Sequence, residues 1–526
     1  MRWSLLLAAL VSAGSTLIVD LGFQVHQPSV PVELAVRVCV GLFNRNGTAD
    51  EGAYVLASGR DVDWLVATGH ARGPSIDIDA FLRLCLHGDG QSAPVARGFL
   101  LYNHTQQKIL VPNIVTLAAV LDAVPLELSQ ATALGLTSAP LLDIVSLFPI
   151  IQSNMSAVAR QATSWVWDRY QTRTNGLAKM NPGLDVHGGH IVNPPLTQDA
   201  ELGLVGFIVK ERLFNFFLNL GCVPMTDDHA VMERIATTNL WPRPVAVYGY
   251  DDSIAIAGGD LFEAETDCVR EHNMGQVASD GCNNLDFFSR SPRISAPLRQ
   301  NVEPPSASLP YNSSLTYIAL IVGDGDNLNI VRGSHFDWMN ERVSRCKNDT
   351  ASCFPLAWTI SPAALQVAPD WLRWYYAQAG TTGADWFVLP PSGHLYSYPG
   401  EMGPTDQASF VRATEADAEL LNASGTVSWE WTTTWPAAIG RFFPQYAARG
   451  VIKACFAVNV PYMLPVLAFA STEHYKILKD STGAQVVLFA PREWRGNGTA
   501  SIPFEGPEVK SPQVRRRVAE WLASKQ

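Results

Sequence analysis

The sequence predicts an α/β protein with a (β/α) barrel-like carboxy-terminal domain, irregular or incomplete in outline, preceded by small α/β accessory domains. Three observations carry this expectation. Beyond residue 315, short β-branched or aromatic runs alternate with longer helical patterns, and such alternation makes parallel strands joined by crossover helices. A Pro- and Ser-rich seam from Arg290 to Ser314 reads as an extended connection ahead of that region. With two earlier runs added, the series reaches eight strands in about 280 residues, close to the roughly 250 of a (β/α) barrel. An open doubly wound sheet is the alternative, because pattern does not specify closure.

In chain order, the first accessory domain is expected over residues 14–112, with short runs such as Ala53 to Leu56 and Val95 to Tyr102. A second accessory region is expected over 113–240, where Gly206 to Val209 is a further short run. The barrel-like domain is expected over 241–526. It opens with strands at Pro244 to Tyr248 and Gly275 to Ala278. After the seam come strands at Tyr317 to Val322, Pro355 to Ile360, Trp386 to Leu389, Thr426 to Trp431, Val451 to Val458 and Gln485 to Phe489. Helices are expected between and after them, at Asn327 to Cys346, Ala363 to Ala379, Asp406 to Leu421, Pro436 to Arg449, Pro461 to Leu478 and Pro512 to Ser524.

The 526 residues carry 38 Lys+Arg against 49 Asp+Glu, a net charge of −11, and are 47% hydrophobic. This composition excludes a disordered tail and a basic nucleic-acid binder. Arg2, the apolar stretch Trp3 to Val11 and the small residues ending at Ala13 read as a signal peptide over residues 1–13. Acceptor triplets at Asn46, Asn103, Asn154, Asn312, Asn348, Asn422 and Asn497 agree with secretion and would place these side chains at the surface. In an oxidising compartment some of the eight cysteines should pair, Cys346 with Cys353 first and Cys268 with Cys282 second.

In parallel architectures, chemistry sits just past the carboxyl ends of strands. That rule selects Gly323-Asp324-Gly325-Asp326-Asn327, two carboxylates on a glycine-rich turn, where Asp326 could instead cap the next helix. A simple divalent-cation site on Asp324, Asp326 and Asn327 stays open, although no metal or other cofactor is expected. The loop Pro390 to Met402 carries His394, Tyr396, Tyr398 and Glu401, whose rings could stack on sugar faces while Glu or His exchanges protons. Further acids at strand ends are Asp251, Asp252, Asp280 and Glu430, the last between Trp429 and Trp431. GxSxG, HExxH and GxxxxGK[ST] do not occur, which removes the sequence signs of serine hydrolases, zincins and P-loop enzymes.

The loop resembles the signature of the GxGYxYP family of putative glycoside hydrolases. Gly393, Tyr396, Tyr398 and Pro399 match it, and Leu395 stands where the second glycine would be. Gly41-Leu42-Phe43-Asn44-Arg45, Asp63-Trp64-Leu65, Val277-Ala278-Ser279-Asp280 with Asn284-Leu285, and the Gly323 to Asn327 turn resemble its other marked segments. The resemblance spans nearly the whole mature chain, with the carboxy-terminal signature over 315–526. It implies a secreted carbohydrate-active protein with a catalytic-type α/β domain. Glycosidic hydrolysis uses two carboxyl groups, so the expected catalytic set is Asp324 or Asp326 with Glu401 or Glu430. The expected substrate-binding set is Asp251, Asp252, Asp280, Asn284, Asn327, His394, Tyr396, Tyr398 and Trp431. The alternatives are a carbohydrate-binding or cell-surface protein without turnover, and a metal-assisted polysaccharide deacetylase with Asp324 and Asp326 converging on one cation, an enzyme class whose paired aspartates Tyr250-Asp251-Asp252 resembles weakly.

Overall fold

The structure is a computed structural model that describes residues 16–22, 28–46, 52–90, 93–149, 154–183, 199–250, 272–300, 319–349, 353–431, 434–460 and 475–489. The expected signal peptide, Asp251, Asp252, Cys268, Asn312, Asn497, the side chain of Trp431 and the helix expected at Pro512 to Ser524 lie outside the described residues. Among the described residues no helix is long and apolar enough to cross a membrane.

The protein is mixed α/β, and among the described residues its strands form five small sheets in chain order. Strands β1 (Thr16–Asp20), β2 (Ala53–Leu56) and β3 (Arg72–Ile76) make the first, in the order β2-β1-β3. The second joins β4 (Gly98–Leu101), β5 (Ala123–Leu126) and β6 (Leu142–Asp143) around a central β4. The third takes β7 (Leu177–Met180), β8 (Phe214–Phe216), β9 (Val245–Tyr250) and β10 (Met274–Val277) in the order β10-β9-β7-β8. This sheet therefore draws strands from both sides of the boundary expected at residue 240. The fourth is β11 (Ile321–Val322), β12 (Leu356–Thr359) and β13 (Asp385–Val388). The fifth is β14 (Gly425–Trp431), β15 (Ala454–Val460), β17 (Gln485–Phe489) and β16 (Tyr475–Lys479), in that order.

The paired strands run parallel, as alternation with helices requires, except that β16 and β17 form an antiparallel pair. A single parallel bridge, Leu389 to Thr426, joins the fourth and fifth sheets, and an antiparallel bridge, Gln276 to Tyr396, ties β10 to the loop after β13. No closed barrel forms among the described residues.

Three element expectations change for local reasons. Gly206 to Val209 lies in a helix, Val205–Glu211, because a short apolar run has no period that separates strand from helix. The end of the helix expected at Pro461 to Leu478 is strand β16, whose exposure alternates along an edge. The helix expected from Asn327 to Cys346 is two helices, Leu328–Arg332 and Ser334–Asn348, broken at Gly333.

One buried apolar cluster runs from Ile18 to Leu488, and a second gathers Tyr396, Tyr398, Val427 and Trp429. The segments marked in the amino-terminal half act as struts within the first. Gly41 lets the helix Val30–Asn46 approach the helix Val205–Glu211 so closely that a Cβ would lie 2.4 Å from the Gly206 carbonyl oxygen. Trp64 stacks on Trp371 and donates its indole N–H to the Arg332 carbonyl at 2.8 Å, bracing the helix behind the Gly323 to Asn327 turn. Cys346 and Cys353 form the expected disulfide. Cys222 is also disulfide-bonded, and Cys282 is a buried free thiol, which overturns the Cys268 to Cys282 pairing.

Candidate active site

The turn after β11 owes its shape to its glycines. Gly325 donates its N–H to Thr359 Oγ1 at 2.9 Å, and a Cβ there would sit 2.0 Å from the Thr359 carbonyl oxygen, so a larger residue would push the turn off β12. Asp324 adopts φ 68°, a left-handed conformation that Asp tolerates better than most residues. Burial pushes the Asp324 carboxyl above its usual range. The helix cap is Asn327, whose side chain accepts the Asn329 N–H at 2.9 Å, so Asp326 is not the cap and Asn327 has a structural task. Behind the turn, His335 is buried and its ring bonds the main chain of Gly323; burial pushes the ring down to about 4.

The loop after β13 is clamped from several sides. Its Pro391–Ser392 peptide is cis. Ser392 Oγ donates to the Ser397 carbonyl at 2.8 Å and accepts the Trp429 N–H at 3.0 Å. Gly393 has φ 112°, and a Cβ on it would lie 2.5 Å from Thr414 Cγ2. Tyr396 and Gln276 exchange both main-chain hydrogen bonds, at 2.9 and 3.2 Å. Leu395, in place of the signature's second glycine, is buried, and its Cβ fills the room left by Gly275, where a Cβ would be 2.6 Å away. Tyr398 is fully buried and its hydroxyl meets that of Tyr396 at 3.3 Å. It therefore packs under the loop, and its ring cannot stack on a sugar. Tyr396 is buried beside it, with Trp429 edge-on at 5.2 Å.

A narrow cleft lies beside this loop, lined by Gln276, Asp326, Ser361, His394, Tyr396 and prolines of the neighbouring turns. These residues stand at or just past the carboxyl ends of β10, β11, β12 and β13, the place where parallel architectures gather chemistry. The carboxylate, imidazole, amide and hydroxyls there can together exchange protons and hydrogen-bond a polar ligand. His394 is held twice by the helix Pro404–Leu421: its N–H donates to Thr414 Oγ1 at 3.1 Å and its Nδ1 lies 2.5 Å from Asp417 Oδ2.

Of the four expected catalytic carboxyls, Asp326 is the one among the cleft's described lining residues. Asp324 precedes it on the same turn. Glu401 ends the short turn Pro399–Glu401 and is half-buried. Glu430 is corrected from proton carrier to brace: it has no exposure, and its two oxygens accept the Gly400 N–H at 2.7 Å and the Thr434 hydroxyl at 2.6 Å. Asn284 is likewise buried, with its amide paired to both main-chain groups of Val55 at 2.8 and 2.9 Å, so it joins sheets and does not face a ligand.

Asp280 receives the Asn329 amide at 2.7 Å, and burial raises its carboxyl. Glu201 lies close by and is raised by burial and by the charge of Asp280. Sequence reasoning missed Glu201, Gln276, Ser361 and Asp417. The strand-end rule could have found Gln276 and Ser361, whereas Glu201 and Asp417 come from helices or loops that only tertiary packing brings near.

Residues 314–452 match the family model described as the GxGYxYP putative glycoside hydrolase C-terminal domain. This bears out the resemblance over the segment that carries Asp326, Ser361, His394, Tyr396 and Asp417. A crystal structure of a putative hydrolase from Bacteroides thetaiotaomicron VPI-5482 shares the fold with a TM-score of 0.63 and 16% sequence identity, covering 90% of this chain and 79% of that one. No curated protein matches in sequence.

Proposed function

We propose that this protein hydrolyses glycosidic bonds of a poly- or oligosaccharide in the cleft at the carboxyl ends of β10 to β13. One observation carries the reading: Asp326 converges there with Gln276, His394 and Tyr396, and all but Gln276 lie within the segment matched by the glycoside hydrolase family model. Hydrolysis needs a base or nucleophile at the anomeric carbon and a proton for the departing oxygen. Asp326 supplies the first role. Gln276 and Tyr396 form a largely buried wall of the cleft.

The protein works outside the cytosol in this reading. The Cys346–Cys353 disulfide and the exposed acceptor residues Asn348 and Asn422 support that placement.

A carbohydrate-binding role without turnover is the second reading. It is favoured by Glu430, one of the expected acids, being sealed under Gly400. Sugar release from a panel of plant, algal and microbial polysaccharides, run beside Asp326→Asn with folding checked by thermal melt, separates the two. Release by the wild type and its loss in the folded variant is the expected result. No release by either, with retained binding to one glycan, would move the assignment to the binding protein.

A further inference from the structure

The cleft shows one carboxylate and one imidazole among its described lining residues, although the usual hydrolytic pair is two carboxyls. His394 is built as more than a ligand contact. Thr414 and Asp417 lie three apart on one helix and so share a face. Thr414 holds the main-chain N–H of His394 at 3.1 Å, and Asp417 meets ring Nδ1 at 2.5 Å. Both partners are largely shielded, the His394 side chain being 24% exposed and that of Asp417 15%. An ionised carboxylate accepts and cannot donate, so Nδ1 carries a proton in this pair. Nε2 is then the nitrogen left to exchange a proton.

We propose that His394, oriented by Asp417, is the proton donor to the departing sugar oxygen, in place of a second carboxylic acid. The inference rests on the hydrolase reading of the same cleft. In the step, water gives a proton to the Asp326 carboxylate as its oxygen bonds the anomeric carbon. The bond from that carbon to the departing oxygen breaks, its electron pair stays on the oxygen, and that oxygen takes the Nε2 proton of the imidazolium. Neutral His394 keeps its Nδ1 proton on Asp417, and the proton on Asp326 returns to Nε2 through solvent. His394 is a catalytic residue in this scheme and Asp417 a positioning residue.

The test compares two glycosides of one cleaved sugar, an alkyl glycoside with a poor leaving group and a 2,4-dinitrophenyl glycoside that departs without a proton. His394→Gln should lower kcat/KM on the alkyl glycoside by about 10² to 10³-fold and on the dinitrophenyl glycoside by less than about tenfold. Asp417→Asn should follow the same leaving-group pattern more weakly, with Asp417→Glu recovering part of the loss. If His394→Gln does not fold, His394→Asn carries the comparison. An equal loss on both substrates, or no loss on either, overturns the proton-donor role while leaving the hydrolase reading intact. A wild type inactive on both glycosides and on the polysaccharide panel overturns the hydrolase reading, and the proposal falls with it.

Discussion

Glu430 accepts the Gly400 N–H at 2.7 Å, and a Cβ on Gly400 would lie 2.6 Å from the other oxygen of the same carboxylate. The pair locks the end of the signature loop to β14, which explains why an acid at a strand end is unavailable to substrate. Glu430→Ala leaves the Gly400 N–H and the Thr434 hydroxyl without their acceptor and should cost about 2 to 4 kcal/mol. Gly400→Ala should cost about 1 to 3 kcal/mol by overpacking. Urea unfolding measures both, and an unchanged midpoint for either variant would contradict the bracing role.

Leu395 and Gly275 share one volume. Leu395→Gly empties a buried site and frees the backbone, so a loss of roughly 3 kcal/mol is expected. Gly275→Ala should also destabilise, because its Cβ meets Leu395 Cβ and the Tyr396 carbonyl oxygen at 2.6 and 2.9 Å. The double variant should be less destabilised than the sum of the two singles, since removing Leu395 relieves one of the two clashes. Strict additivity in thermal melts would show that the two sites do not share this space.

His335 gives the fold a dependence on mild acid. Burial holds its folded value down at about 4 against an ordinary 6.5. The unfolded chain therefore takes up a proton that the folded protein declines, and stability falls as pH drops from about 6.5 to about 4. The loss across that window should be roughly 3 kcal/mol from this residue. His335→Gln can keep the hydrogen bond to Gly323 and should flatten the stability profile between pH 7 and 4. Parallel profiles for wild type and variant would remove His335 as the cause.

Cys346 and Cys353 close a loop with a sequence separation of 7 after the helix Ser334–Asn348. Replacing both by Ser should cost about 2 kcal/mol, mainly by freeing the unfolded chain. Thermal melting of the double variant checks this, and peptide mapping under non-reducing conditions checks the bridge itself. A melting temperature equal to that of the wild type would show that the loop is ordered without it.

What the sequence determined by itself was local or periodic. Alternating runs placed β9 to β15 and β17 near their observed positions, because strand and helix repeats of two and 3.6 residues are written into neighbouring side chains. The same holds for the Cys346–Cys353 bridge, whose short separation favours closure, and for the Gly325 turn, where only a residue without Cβ fits against Thr359. Asp326, His394 and Tyr396 were legible as candidates because strand ends mark where loops converge. Tertiary structure alone decided which of these candidates face the cleft. Gln276 and Tyr396 pair across 120 positions, Asp417 reaches His394 from the following helix, and Glu430 is buried by Gly400. The antiparallel edge of β16 and β17 is of the same kind. A strand's pattern records which faces are buried, whereas its partner, and the use made of a carboxylate beside it, depend on surfaces contributed by distant segments that no local repeat encodes.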